Sequence, residues 1–142
     1  MSLSAKTEYA CIALLELAVH FGSGEPVRIR QIADPHGIPS RFLVQILLQL
    51  KGAGLVSSTR GASGGYQLIR PPEQITLGEV MAVVEGGDDE PVSNTNADTA
   101  ATRVLLDTWR RVAAKQREML AHITFADLAQ LVRGETENMY YI

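Results

Sequence analysis

The sequence predicts a mainly α-helical protein with one small β-hairpin, arranged as a winged helix-turn-helix domain that precedes a long C-terminal helix. Apolar residues recur at helical spacing in the first, third and long C-terminal helical segments. Gly61, Gly64 and Gly65 separate two short strand-like segments, as the tip of a tight hairpin requires. Two short helices followed by a glycine-tipped hairpin have the element order of a winged helix-turn-helix, which points to DNA.

Residues 1–72 are predicted to form the winged helix-turn-helix domain. Their first helix is apolar nearly all round, so we expect it to be buried on more than one side. Asp34-Pro35 is expected to end the second helix. The predicted elements are helices over Ser4–Val19, Val27–Ala33 and Ser40–Gly52, and strands over Val56–Ser58 and Tyr66–Ile69.

Residues 73–142 are predicted to add a linker helix, a mobile loop (86–97), a long helix and a short terminal helix. The polar, acidic composition of the loop indicates mobility. Two residue pairs have the spacing of a capping box at a helix start: Thr76 with Glu79, and Thr124 with Asp127. The long helix is predicted from about Asp98 to His122, and the last helix from Thr124 to about Val132.

Charge is divided unequally between these two parts of the chain. The whole chain carries a net charge of −3, whereas residues 1–72 carry +3 and residues 73–142 carry −6. Basic residues therefore concentrate in the winged helix, the distribution that contact with DNA phosphates requires. An ordinary solvated surface is the alternative, which a charge of +3 does not exclude.

The third helix has the two faces that a recognition helix needs. Its predicted docking face is apolar, and the opposite face carries short or polar residues that would enter the major groove. The docking residues are Leu43, Ile46, Leu47 and Leu50, and the base-facing residues are Ser40, Arg41, Val44 and Gln45. Arg41 suits guanine or phosphate, Gln45 suits adenine or phosphate, and Val44 suits a thymine methyl group.

The hairpin tip supplies a second set of candidate DNA contacts. Arg60 is predicted to enter a narrow minor groove, where the potential is most negative. Ser63 could contact phosphate, and Gly64 and Gly65 let the backbone approach the DNA, although these glycines could also serve the turn alone. Arg28 and Lys51 are further candidates for phosphate contact.

A series of motifs resembles the winged-helix transcription regulators of the Rrf2 type. This bacterial family includes the iron–sulfur cluster assembly regulator, the nitric-oxide-sensing repressor and the cysteine metabolism repressor. The resemblance covers nearly the whole chain and continues to Trp109 and Ile123-Thr124. Its strongest motifs are Gly37-Ile-Pro39, Phe42-Leu43, Gln45-Ile-Leu47, Leu50-Lys51, Ala53-Gly-Leu-Val56, Arg60-Gly61, Gly64-Gly-Tyr66 and Arg70-Pro-Pro72.

The resemblance implies a homodimer that is formed through the long helix and binds a palindromic double-stranded DNA operator. One stripe of that helix has a coiled-coil-like spacing and would supply the interface. The stripe consists of Leu105, Trp109, Val112, Gln116, Met119 and Ile123. Packing of this stripe against the chain's own domain is the alternative, but a long helix after a small domain has few intrachain partners.

Many members of the family hold an iron–sulfur cluster on three cysteines in the loop before the long helix. This chain has no cysteine there, so we expect neither cluster, metal nor other cofactor. Glu8 lies near a position that some relatives use as a cluster ligand and is interpreted as a structural or surface residue. Cys11 is the one cysteine; its apolar neighbours favour an inert buried thiol over a single-thiol redox sensor.

The sequence therefore predicts a DNA-binding transcription regulator, most simply a repressor, and not an enzyme. No nucleophile–base pair emerges, and the glycine-rich tip lacks the Lys-Ser/Thr of a nucleotide-binding loop. Without a leader or long apolar run, we expect a cytoplasmic protein with no membrane partner. The effector is an unknown small molecule or protein, and control of DNA occupancy by a protein partner is the alternative mechanism.

Overall fold

A computed structural model describes residues 3–86 and 90–140 of the chain. Over these residues it consists of six α-helices and one antiparallel pair of strands, which confirms the predicted fold class. The helices are α1 (Ala5–Val19), α2 (Ile29–His36), α3 (Ser40–Gly52), α4 (Leu77–Glu85), α5 (Ala100–His122) and α6 (Phe125–Tyr140); the strands are β1 (Val56–Thr59) and β2 (Gly65–Leu68). None of the helices in the described ranges is long and apolar enough to cross a membrane.

Helix α1 is the centre of the domain and packs against α2, α3, α4, α6 and β2. Ser4 caps its first turn, accepting a hydrogen bond from the Thr7 amide at 3.1 Å. Five apolar residues of α1 are almost completely buried, as the all-round apolar pattern predicted: Ala10, Ala13, Leu14, Leu17 and Ala18.

The helix-turn-helix consists of α2 and α3, and α2 differs from its predicted range. It starts two residues later than predicted because the backbone of Val27 pairs with Tyr66. It continues through Pro35, since a proline in a last turn removes only one amide donor. The helix ends at Gly37, whose φ of 64° is the left-handed conformation that glycine tolerates. Helix α3 has the predicted bounds.

The wing is the hairpin of β1 and β2, in which Val56 pairs with Leu68 and Thr59 with Gly65. Each strand differs by one residue from the prediction, β1 ending at Thr59 and β2 lying at Gly65–Leu68. An isolated bridge pairs Tyr66 of β2 with Val27, so the wing is tied to the segment before α2.

The C-terminal helices are joined to the same hydrophobic core as the winged helix. The Leu77 amide donates to the Ile123 carbonyl and the Phe125 amide donates to the Ile75 carbonyl, both at 2.9 Å. Phe125 is fully buried beside α1 and the segment that precedes α4. The predicted division after residue 72 therefore separates two parts that share one core.

The two capping boxes predicted in this half differ in how fully they form. The pair of Thr124 and Asp127 forms a complete capping box, with hydrogen bonds of 3.1 and 3.3 Å. Thr76 accepts from the Glu79 amide, but the Glu79 carboxylate pairs with Arg70 instead of completing the box.

The predicted end of α6 near Val132 is wrong, because the helix continues to Tyr140. Gly134 weakens a helix by about 1 kcal/mol relative to alanine, and flanking helix-forming residues such as Glu135 offset that cost. In the predicted mobile loop (86–97), residues 90–97 have neither helix nor strand, and residues 87–89 lie outside the described residues.

Candidate nucleic-acid interface

Helix α3 is docked by its apolar face and exposes the opposite one. Leu43, Leu47 and Leu50 are fully buried and Ile46 is 3% exposed. Of the predicted base-facing residues, Ser40, Arg41 and Gln45 are exposed, whereas Val44 is half-buried. The first two turns of α3 can therefore meet base edges through Arg41 and Gln45, with Val44 at the margin of that surface.

The wing tip extends from Arg60 to Gly64 and places Arg60 and Ser63 at the surface. The amide of Gly64 donates to the carbonyl of Gly61 at 3.0 Å, which closes the tip, and Gly61 has a φ of 104°. An arginine at the end of a narrow, glycine-rich turn can enter a groove that a bulkier turn could not approach.

Gly64 and Gly65 are required by the packing of the wing itself. A Cβ atom on Gly64 would lie 2.1 Å from the Thr59 carbonyl oxygen, and one on Gly65 would lie 2.5 Å from the Val27 carbonyl oxygen. Gly64 therefore serves the turn, and Gly65 serves the close pairing of β2 with the segment at Val27. Their contact with DNA stays a prediction.

An open, positively charged cleft of about 600 Å³ lies between the wing, the start of α2 and the end of α3. Its lining brings together three of the predicted cations, Arg28, Lys51 and Arg60, and includes no acidic residue. Ser58, Thr59 and Tyr66 add polar groups to the same lining. A cleft of this charge beside a recognition helix suits a DNA backbone.

Two of these cations are already hydrogen-bonded to the wing. The Lys51 ammonium group donates to Ser58 Oγ at 2.7 Å, which connects the last turn of α3 with β1. The Arg28 guanidinium group donates to the carbonyl of Ala62 at the wing tip. The sequence indicated both residues as phosphate contacts, and it gave no sign of these bonds because the partners are distant along the chain.

Contacts of Glu16 with two histidines, which the sequence did not reveal, join α1 to α2. Glu16 Oε1 lies 2.9 Å from His36 Nε2, and Glu16 Oε2 lies 3.8 Å from His20 Nδ1. His20 Nδ1 also lies 2.9 Å from the Glu16 carbonyl oxygen. His36 is the last residue of α2, and its pairing with Glu16 anchors the end of α2 on α1. Among the described residues, no three His, Cys, Asp or Glu side chains are arranged to hold a metal ion.

Cys11 is half-buried on α1 and packs against the core. Burial raises the pKa of the Cys11 thiol from 9.0 to about 11, because the thiolate loses solvation. A raised pKa lowers the thiolate fraction at neutral pH, and the thiolate is the reactive form. This environment favours the inert interpretation of Cys11.

Helix α5 and its C-cap residue Ile123 carry the predicted dimerisation stripe, most of which the chain itself leaves exposed. Leu105 is 60% exposed, Trp109 56%, Val112 43% and Met119 67%, while Gln116 and Ile123 are half-buried. A neighbouring face packs against α4, where a Cβ atom on Gly78 would lie 3.4 Å from the backbone of Leu120 and Ala121. The two faces adjoin, and the domain leaves exposed the part of the stripe that Leu105, Trp109, Val112 and Met119 form.

Comparison with known proteins gives one consistent result. Residues 3–131 match the model of the family Rrf2, described as an iron-dependent transcriptional regulator. The HTH-type transcriptional regulator CymR of Bacillus subtilis is 37% identical over 143 residues, spanning 100% of both chains. The structure of CymR, the global cysteine regulator of B. subtilis, matches with a TM-score of 0.80 at 35% identity, over 92% of this chain and 98% of that one. IscR of T. potens matches with a TM-score of 0.75 at 34% identity, over 93% of this chain and 88% of that one.

Proposed function

The chain belongs to the Rrf2 family of winged-helix regulators, and we propose that it acts as a homodimeric repressor without an iron–sulfur cluster. Membership of the family makes it a DNA-binding transcription regulator and not an enzyme. The proposal itself concerns three further properties: the homodimer, the direction of regulation and the absence of a cluster.

The observation that carries DNA contact is the position of a positively charged cleft beside an exposed recognition face. Arg41 and Gln45 are exposed on α3, and Lys51 and Arg60 line the cleft under the wing. We assign base contact to Arg41 and Gln45, with Ser40 and Val44 flanking them, and minor-groove contact to Arg60. Lys51 and Ser63 contact phosphates in this arrangement.

The exposed stripe of α5 supports the homodimer. Water-exposed Leu105, Trp109 and Met119 leave a large apolar surface uncovered in one chain, and burial of such a surface stabilises association. A two-fold axis through paired α5 helices would present two recognition helices to two half-sites, so the operator is palindromic.

The cysteine content supports a regulator without a cluster. An iron–sulfur cluster of the family's usual kind needs several thiolates, and Cys11 is the single cysteine of the chain. The loop before α5 offers oxygen groups such as Ser93 and Thr95 instead, and Glu8 is exposed on α1. Protein purified without oxygen should be colourless and free of iron and sulfide. A brown protein that contains both would overturn this part of the proposal.

Salt-dependent binding to a fragment of the protein's own promoter region tests DNA binding. Affinity should fall steeply with salt concentration, because phosphate contacts release counterions. Arg60→Ala should weaken binding about tenfold, and Arg41→Ala should weaken it similarly and also change the preferred sequence. Arg111→Ala is the matched control, since Arg111 is exposed on α5, pairs with Asp107 and does not line the cleft. Equal losses in all three variants would argue against the assigned interface.

The same fragment tests the direction of regulation. A reporter gene behind the protein's own promoter should be expressed more strongly when the regulator gene is deleted and less strongly when it is restored. Higher expression on restoration would indicate an activator and would contradict repression without affecting the assignment of the DNA contacts.

A further inference from the structure

Arg28 connects the start of α2 with the wing tip. It is the N-cap residue of α2, and its extended backbone (φ −76°, ψ 151°) places it between the Val27 bridge and the first helical turn. Gln31 Oε1 accepts a hydrogen bond from the Arg28 amide at 2.8 Å, which fixes this backbone. From that position the guanidinium group reaches the carbonyl of Ala62, 34 residues further along the chain.

The base and the tip of the wing are held by different means. At the base, Val27 and Tyr66 exchange two backbone hydrogen bonds of 2.8 Å, and Gly65 lets their backbones approach closely. At the tip, the hairpin's own bond from Gly64 to Gly61 closes the turn. Over the residues that the structure describes, the hydrogen bond from Arg28 is the one that reaches the tip from outside the hairpin.

The hydrogen bond to Ala62 determines the orientation of the Arg28 guanidinium group. A guanidinium group donates in a fixed planar fork, so donation to the Ala62 carbonyl orients the whole group toward the wing. Ala62 lies two residues from Arg60, within the same exposed turn. Restricting the tip lowers the conformational entropy that Arg60 loses when it enters a groove.

We propose that Arg28 is a positioning residue that acts on DNA through Arg60, holding the wing tip by its bond to the Ala62 carbonyl, and not a phosphate contact. This inference rests on the proposed DNA binding and revises the role that the sequence predicted for Arg28. It also separates Arg28 from Lys51, which is bound to the strand of the wing and not to its tip.

A double-mutant cycle on operator affinity tests the coupling. Arg28→Ala should weaken binding about fivefold in the wild-type background, because a less ordered tip presents Arg60 less often. In the Arg60→Ala background the same change should alter affinity by less than about twofold, and the salt dependence should not change further. Independent effects that multiply, together with a salt slope about one unit smaller for Arg28→Ala in both backgrounds, would identify a phosphate contact and overturn the proposal.

Arg41 supplies the matched control for this cycle. It is exposed on α3 and is expected to contact DNA without touching the wing. Arg41→Ala and Arg60→Ala should therefore combine independently, whereas Arg28→Ala and Arg60→Ala should not. Coupling of equal size in both cycles would show that the non-additivity is general and would remove the support for Arg28.

Amide hydrogen exchange in the free protein tests the same contact without DNA. Arg28→Ala should speed exchange of the hydrogen-bonded Gly64 amide several-fold and leave the amides of α3 unchanged. Arg60→Ala should change neither. Unchanged exchange at Gly64 in Arg28→Ala would overturn the positioning role. Failure of the wild-type protein to bind DNA would instead overturn the proposed function, while the exchange result would still report on the wing.

Discussion

Helices α3 and α5 have similar apolar patterns and opposite environments. In α3 the apolar positions Leu43, Leu47 and Leu50 are fully buried by the chain's own domain. In α5, 23 residues long, no residue is fully buried, and Trp109 is more than half exposed. Apolar spacing therefore identifies an apolar face, and the rest of the fold decides whether the same chain covers it.

Helix α5 itself shows how this division arises. Leu106, Ala113 and Leu120 are half-buried, and α4 packs against α5 at Leu120 and Ala121, whereas Trp109 lies in the exposed part of the stripe. Because the domain contacts one side only, the remaining apolar side is available to a second copy. The apolar face of α3 is thus buried within a single chain, while the exposed apolar face of α5 would be buried only in the proposed dimer.

The largest expected effect comes from placing a charge in the α5 stripe. Trp109→Asp should yield a folded monomer, because the interface would have to bury an unpaired carboxylate. Operator affinity should fall by about 100-fold or more, since two half-sites would no longer be bound together. Sedimentation measures the mass, circular dichroism the helix content, and a gel-shift titration the affinity.

The opposite face of α5 provides the control for that prediction. Ala114 is exposed and lies half a helical turn away from the centre of the stripe. Ala114→Asp adds the same charge and should leave the dimer and its DNA affinity close to those of the wild type. A dimeric Trp109→Asp protein would contradict the assignment of the stripe as the interface.

A second pair of variants compares how much a buried and an exposed leucine contribute to the free energy of unfolding. In the monomeric Trp109→Asp background, Leu47→Ala should lower the free energy of unfolding by about 2–5 kcal/mol, because it leaves a cavity in a fully covered site. Leu105→Ala in the same background should change it by less than about 0.5 kcal/mol, since Leu105 is 60% exposed. Urea unfolding measures both. Comparable losses would mean that the domain covers Leu105 after all.

The sequence predicted best what depends on local spacing. The bounds of α3, the all-round burial of α1 and the glycine-rich wing tip follow from residues close together in the chain, and the fold has all of them. The end of α2 was missed because Pro35 is a weaker stop in a last turn than Gly37 with its positive φ. The length of α6 was missed because one glycine does not outweigh the helix formers around it.

The contacts that orient the candidate site could not be predicted in the same way. Arg28 meets Ala62 across 34 positions, and Glu16 meets His36 across 20. Neither pair leaves a periodic pattern, since each depends on how α1, α2 and the wing pack together. The sequence therefore indicated which residue types line the interface, and the packing determined which of them bind the protein itself.

A third prediction concerns the reactivity of the Cys11 thiol on α1. Two pH units separate the ordinary thiol pKa of 9.0 from the value of about 11 at Cys11, so the native thiolate fraction at neutral pH is about 100-fold lower. Native protein should react correspondingly slowly with iodoacetamide at pH 7.5, and unfolded protein should react at the rate of a free thiol. Cys11→Ser should bind the operator as the wild type does. Rapid native labelling, or a redox-dependent loss of DNA binding, would support the redox-sensor alternative.

The smallest expected effect is on the pH dependence of stability, and it arises where the end of α4 meets the start of α1. Glu85, at the end of α4, accepts hydrogen bonds from the hydroxyls of Ser4 and Thr7 at the start of α1. These bonds lower the pKa of the Glu85 carboxyl below its ordinary value of 4.5. A lowered native pKa stabilises the fold above pH 4.5, and that contribution disappears as the pH falls through the native value.

Glu85→Gln keeps the size of the side chain and removes its titration. The urea midpoint of the wild type should exceed that of Glu85→Gln by a small, constant amount between pH 7 and about pH 5.5. The two midpoints should then converge as the pH falls below 4.5, because the wild-type carboxyl becomes neutral. Glu137→Gln, at an exposed position on α6, should not reproduce this pattern. A wild-type advantage that does not diminish as the pH falls below 4.5 would mean that packing at this junction, and not the carboxylate, holds α4 to α1.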